Sequence, residues 1–300
     1  MIRDWINRQI FALGRHVAPR LGPAAVRGLG RAAYFGARLD HTHLETYRHN
    51  LRIVLGREPD ETLLRAGIAS WVRTYVEVLA LPAWSRDEVL DRVVTVGERH
   101  FRGAMAGPGA VVALPHLGNW DLAGAWACLS GFPVTTVAEN LGPREFAAFS
   151  AIRGRLGMEV VAHDDPGALG ELVGAVRRGR LVCLLSDRDL AGTGLPVRFA
   201  DRIVTMPSGP ALVARRTGAT LLAAAGRYTD DGMVLEISAP ISARPGRAGL
   251  IAMTQDIADF FLDQVRRAPA DWHMLQPFFD PGAVGRRGTA ATAARPAGDG

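Results

Sequence analysis

His116 and Asp121 stand five positions apart in His116-Leu117-Gly118-Asn119-Trp120-Asp121, and two such side chains could run acid–base chemistry. A neutral histidine can take a proton from a hydroxyl and make its oxygen nucleophilic. A carboxylate on the other ring nitrogen would fix the tautomer and stabilise the imidazolium. The spacing alone is common, and a core histidine beside a helix-start aspartate would produce it with no chemistry. The surroundings decide. Ala110-Val111-Val112-Ala113-Leu114 reads as a buried strand, the segment from Leu122 to Ala127 as an apolar helix, and Asn119 as that helix's N-cap. His116 is expected where a strand ends and Asp121 in the first helical turn, at the carboxyl edge of a sheet, where open α/β folds hold their sites.

A second charged group follows another apolar run. Ser186-Asp187-Arg188-Asp189 comes directly after Leu181-Val182-Cys183-Leu184-Leu185, so it too would emerge at the carboxyl edge. On extended backbone Asp187 and Asp189 share one face and Arg188 takes the other. Either carboxylate could serve the histidine, and the guanidinium could bind a substrate phosphate. A charged loop with internal ion pairs is the plain alternative. Arg153 and Arg144 border the segment 143–155 and are candidate phosphate ligands, Arg153 before the others. Ser208 lies in Thr205-Met206-Pro207-Ser208-Gly209, which opens a helix whose free N–H groups could hold an anion.

These groups need a scaffold. Strands are expected at 93–96, 110–114, 134–138, 159–162, 181–185, 219–224 and 233–238, with helices at 121–129, 143–155, 166–178, 207–216 and 250–267 between and after them. Such alternation predicts an α/β fold, a mostly parallel sheet flanked by helices, with 233–238 a candidate antiparallel addition. Residues 1–90 read as helical, including stretches at 42–55 and 60–81. Residues 91–280 form the α/β core, and the Gly/Ala/Arg/Pro-rich 281–300 reads as a disordered tail.

The chain has 300 residues, 48% of them hydrophobic, a formal charge of +5, and no lysine among its 35 basic residues. A GC-rich genome explains the arginine bias, but the resulting surface is all guanidinium and suits phosphate. Nine of those arginines lie in residues 1–56 against three acids, and residues 1–18 carry an apolar stripe of Ile6, Ile10, Leu13 and Val17. A basic amphipathic helix of this kind fits an anionic membrane surface, or else it docks on its own core. No transmembrane span or cleavable signal is expected. Cys128 and Cys183 read as buried, reduced thiols. His41 and His43 lack a third ligand, and His163-Asp164-Asp165 reads as a turn, so no metal is expected.

His116–Asp121 resembles the signature of the bacterial lysophospholipid and lipid A acyltransferase superfamily. Later blocks continue the resemblance in order: Val137–Arg144, Leu181–Leu190, Thr205–Ala211 and Asp271–Pro277. Together they resemble the branch that acylates phosphatidylinositol mannosides, over roughly residues 1–280. The resemblance implies a glycerolipid acyltransferase-like fold and transfer of a palmitoyl-like chain from acyl-CoA, a co-substrate, with no cofactor. The implied acceptor is the 6-hydroxyl of a mannose in a phosphatidylinositol mannoside. It implies His116 as base and Asp121 as its partner, with Asp187 or Asp189 as a further acid; where the family has glutamate, Asp187 is one methylene shorter. Glu139, Arg144, Asn119, Arg153, Arg188 and Ser208 become candidate substrate ligands. The implied setting is the cytoplasmic face of the plasma membrane, on anionic lipid and with no role for nucleic acid. The alternatives are a lysophospholipid or lipid A precursor as acceptor, a metal-dependent phosphohydrolase using His163-Asp164-Asp165, and a non-catalytic lipid-binding protein.

Overall fold

In the computed structural model, residues 17–39, 41–139 and 142–279 are described. The amphipathic stretch 1–18 lies almost wholly outside them, and the tail 281–300 wholly so. Four helices come first: α1 (Pro23–Leu39), α2 (His41–Leu55), α3 (Glu61–Ala80) and α4 (Arg86–Asp91). Then follow β1 (Val93–Val96), α5 (Glu98–Met105), β2 (Ala110–Leu114), α6 (Trp120–Leu129), β3 (Val134–Ala138), α7 (Pro143–Arg155), β4 (Glu159–Ala162), α8 (Ala168–Arg177) and β5 (Leu181–Leu185). The described chain continues through β6 (Leu195–Phe199), β7 (Arg202–Met206), α9 (Gly209–Thr217), β8 (Thr220–Tyr228), β9 (Met233–Ile237) and α10 (Gly246–Arg267).

Seven strands form one sheet in the order β1-β9-β8-β2-β5-β3-β4. Every neighbouring pair is parallel except β8–β9, so β9 is the antiparallel addition expected for 233–238. β2 is buried along its whole length because both faces of the sheet are covered, which is why its sequence is a continuous apolar run rather than an alternating one. Val111 and Ala113 pack with α8, α9 and α10, whereas Val112 and Leu114 pack with α5 and α6. Tyr47, Leu51, Leu64 and Ile68 from the N-terminal helices belong to the first of these cores. The helical N-terminal stretch therefore shares apolar burial with the sheet.

Two elements depart from expectation. Segment 195–206, between the expected strand 181–185 and the expected helix 207–216, forms an antiparallel hairpin of β6 and β7, with Phe199 opposite Arg202. Its signal is present: Leu195, Val197 and Phe199 alternate with exposed neighbours. Both strands of this two-stranded sheet are edge strands, where a proline such as Pro196 is tolerated. Helix α5 has only a few apolar positions in eight residues, too short a pattern to read, yet it buries Phe101 and Ala104.

Candidate active site

β2 and β5 are neighbours in register, Leu114 opposite Leu185. The pairing runs one step further, with Ser186 N donating to Leu114 O at 2.9 Å. Two strand ends thus deliver His116 and Asp187 side by side. Asp187 Oδ1 lies 2.5 Å from His116 Nδ1, and Asp187 Oδ2 accepts from the His116 backbone N–H at 2.8 Å. The same oxygen accepts from Trp272 Nε1 at 3.2 Å. Asp187 is fully enclosed, which works against its charge, but His116 and the three donated hydrogen bonds outweigh burial and hold the carboxyl below its ordinary range. Nδ1 of His116 is committed to that carboxylate, which assigns its proton there and leaves the Nε2 lone pair free.

This corrects the expected pairing. Asp121 does occupy the first turn of α6, but its carboxylate is taken by Arg153, whose Nε and Nη2 donate at 2.6 and 3.1 Å. The parallel neighbour strand supplies the nearer acid to His116. Of the two acids left open in Ser186-Asp187-Arg188-Asp189, Asp187 is the one in contact. Asp189 turns away and accepts from the backbone of Thr193 and Gly194, closing its own loop.

Asn119 is fully buried with both ends in use: Oδ1 caps α6 at Leu122 N and Nδ2 donates to Glu77 Oε2. It positions the turn and is too enclosed to touch a substrate. Gly118 makes that turn at φ +66, and a Cβ there would meet Gly226 O at 2.6 Å, so only glycine fits. Arg188 and Glu139 form a loose pair, 3.5 Å apart, at the rim. Ser208 precedes α9 and makes no side-chain cap. Arg144 is in the first turn of α7, with its side chain outside the described atoms.

A cavity of about 560 Å³ opens over His116; its walls include Trp71, Tyr75, Trp120, Asp121, Glu139, Arg153, Arg188 and His273. A narrow cavity of about 60 Å³ adjoins it between α6 and the sheet, lined by apolar residues such as Phe101, Trp126, Met158 and Leu235. Trp120, Asp121 and Arg153 line both.

Glu77 and Ser70 carried no sequence signal. Glu77, on α3, receives Arg73 Nε at 2.7 Å, Asn119 Nδ2 at 2.9 Å and the Tyr228 hydroxyl at 3.2 Å, tying that helix to the turn that follows His116. Ser70 donates to Asp271 Oδ1 at 2.7 Å and lies 3.0 Å from His273 Nε2. The group His163-Asp164-Asp165 ends β4, three strand spacings or about 14 Å from β2, so it does not converge on His116. Among the described residues no cluster of three or more His, Cys, Asp or Glu could hold a metal, and no helix is long and apolar enough to cross a membrane.

Residues 3–280 match the family model described as bacterial lipid A biosynthesis acyltransferase. The chain is 35% identical over 279 residues to a phosphatidylinositol mannoside acyltransferase of Mycolicibacterium smegmatis, covering 89% of each chain. It is 37% identical over 289 residues to the protein of the same name from Mycobacterium tuberculosis, covering 91% of this chain and 87% of that one.

Proposed function

The chain belongs to the bacterial lipid A biosynthesis acyltransferase family, and on that premise we propose that it transfers a palmitoyl-like chain from acyl-CoA to the 6-hydroxyl of a mannose in a phosphatidylinositol mannoside. The observation that carries the mechanism is the 2.5 Å contact between His116 Nδ1 and Asp187. With Nδ1 engaged, Nε2 takes the proton of the acceptor hydroxyl as its oxygen attacks the thioester carbonyl. The tetrahedral intermediate collapses, the C–S bond breaks, and the proton on Nε2 passes to the departing CoA sulfur. Asp187 stabilises the imidazolium between these steps. No side chain forms a bond to the acyl group, so both substrates must be held together, and positioning supplies much of the rate.

Arg153 is pinned by Asp121 beside both cavities, where a spare N–H can face the developing oxyanion. The narrow apolar cavity has room for a few methylenes of the acyl chain, and the larger one suits the sugar and the CoA end. Trp71 and Tyr75 offer the sugar an aromatic wall. The enzyme works as a peripheral protein on anionic lipid at the cytoplasmic face, where acyl-CoA is found. Exposed Phe35 and Leu29 on α1, 62% and 45% accessible, and the arginines of residues 1–56 support that docking.

The test is turnover of palmitoyl-CoA with a mannosylated phosphoinositide. His116→Ala should abolish transfer, and near wild-type turnover would exclude this centre. A trapped covalent acyl-enzyme would exclude direct transfer. A panel of acceptors against one donor decides between the mannoside and a lysophospholipid or lipid A precursor.

A further inference from the structure

The chain that follows α10 runs along the back of the catalytic turn. Gly118 N donates to Asp271 O at 2.9 Å and His273 N to His116 O at 2.8 Å. Leu117 and Trp272 are bridged between them, so residues 271–273 lie against 116–118 like a short antiparallel strand. Trp272 is wholly buried, and its indole N–H donates to Asp187 Oδ2. The indole is itself braced. Phe199, from the β6–β7 hairpin, stacks on it with centroids 6.0 Å apart, and Phe278 meets it edge-on at 5.3 Å.

The terminal torsion of an aspartate is broad and roughly two-fold, so burial alone does not fix the plane of its carboxylate. Hydrogen bonds must do so. Oδ2 of Asp187 takes two, one from the His116 backbone and one from Trp272, and their directions leave Oδ1 facing the imidazole. A tryptophan that only filled the core would need apolar neighbours alone. This one directs its single polar group at the carboxylate that meets the base.

We infer that Trp272 is a positioning residue for acyl transfer: its N–H, braced by Phe199 and Phe278, holds Asp187 turned toward Nδ1 of His116. The hairpin thereby has a part in catalysis, as the support of that indole. The inference rests on His116 acting as the base.

Trp272→Phe keeps most of the ring and removes the donor. Replacement of Trp272 by β-(3-benzothienyl)alanine, with sulfur in place of the N–H, keeps the bicyclic shape as well. Both are compared with wild type for kcat and KM of palmitoyl-CoA transfer across the acidic and neutral range. The expected result is a kcat about tenfold lower, in line with the loss of one hydrogen bond to a charged group. KM should hold for both substrates. The acidic limb of the profile, which reports protonation of the base, should move to lower pH, because a carboxylate no longer held toward Nδ1 stabilises the imidazolium less. An unmoved acidic limb in the benzothienyl variant overturns the inference, whether kcat is unchanged or falls together with the unfolding midpoint. If Trp272→Phe fails to fold, the isosteric variant decides alone. A wild-type protein that transfers no acyl chain would sink the reaction itself, a separate outcome.

Discussion

Arg153 grips Asp121 through two parallel hydrogen bonds of 2.6 and 3.1 Å where the two cavities meet. Both side chains are largely buried, at 13% and 4% exposure, so the pair cannot be treated as a surface ion pair. Arg153→Ala strands a buried carboxylate and should lower unfolding stability by about 3 kcal/mol in urea denaturation. Arg153→Lys keeps the charge without the planar fork, and should cut kcat/KM by about tenfold or more with a smaller stability loss. A Lys variant with wild-type kcat/KM would show that only the charge matters here.

Asp187 and Asp189 are two residues apart, yet their variants should behave oppositely. Asp187→Asn keeps the shape but turns an acceptor into a partial donor against Nδ1, which favours the wrong imidazole tautomer. Loss of base catalysis should lower kcat by about 10²- to 10⁴-fold with KM little changed. Asp189→Asn affects a loop closed by two backbone amides, and kcat should stay within about twofold, as for a substitution outside the site. Steady-state kinetics of the two proteins settle the assignment, and equal losses would contradict it.

The narrow cavity predicts a chain-length effect. Gly124 lines it, and a side chain built there would meet the flexible thioether of Met158 at 2.8 Å. Gly124→Val should therefore fold, with Met158 displaced into space that an acyl chain would use. Palmitoyl-CoA turnover should drop by about tenfold or more, on the scale of a few methylenes losing their pocket, while a short-chain donor is spared. Equal losses for long and short donors would place the acyl chain elsewhere.

What the sequence discloses follows from how local each signal is. The run Ala110–Leu114, the cap Asn119 and the turn glycine Gly118 lie within nine residues of one another, so strand, turn and helix start can be read in one pass. The partner of His116 is only narrowed to Asp121, Asp187 or Asp189, because the choice depends on β5 being the parallel neighbour of β2. Proximity along the chain points to Asp121, whereas strand order points to Asp187. Glu77 looks like a solvated helix acid until the fold lays α3 over the turn that holds Asn119. Trp272 lies in a block whose resemblance is visible, but its bond to Asp187 joins positions 85 residues apart. The hairpin is a different case: the alternation at Leu195, Val197 and Phe199 is legible, and Pro196 masks it.

His273 gives the protein a pH dependence with a defined window. Its imidazole is enclosed, and burial first, then the nearby His116, push it down to about 3, with Asp187 opposing. In the unfolded chain a histidine protonates near pH 6.5. Above that value neither state holds the proton and the site is neutral to stability. As pH falls from 6.5 toward 3 only the unfolded state binds it, so the folded state loses about 1.4 kcal/mol per pH unit. At pH 5 the loss from this site should be about 2 kcal/mol. Asp187, held low, loses its contribution only below the ordinary carboxylate range, and Asp271, raised by burial, gains on acidification. Both act in wild type and variant alike. Urea denaturation of wild type and His273→Gln at pH 7 and pH 5 isolates the histidine, since glutamine cannot titrate. Wild type should lose about 2 kcal/mol more than the variant between those values. Equal losses would show that the folded state protonates His273 as readily as the unfolded chain does.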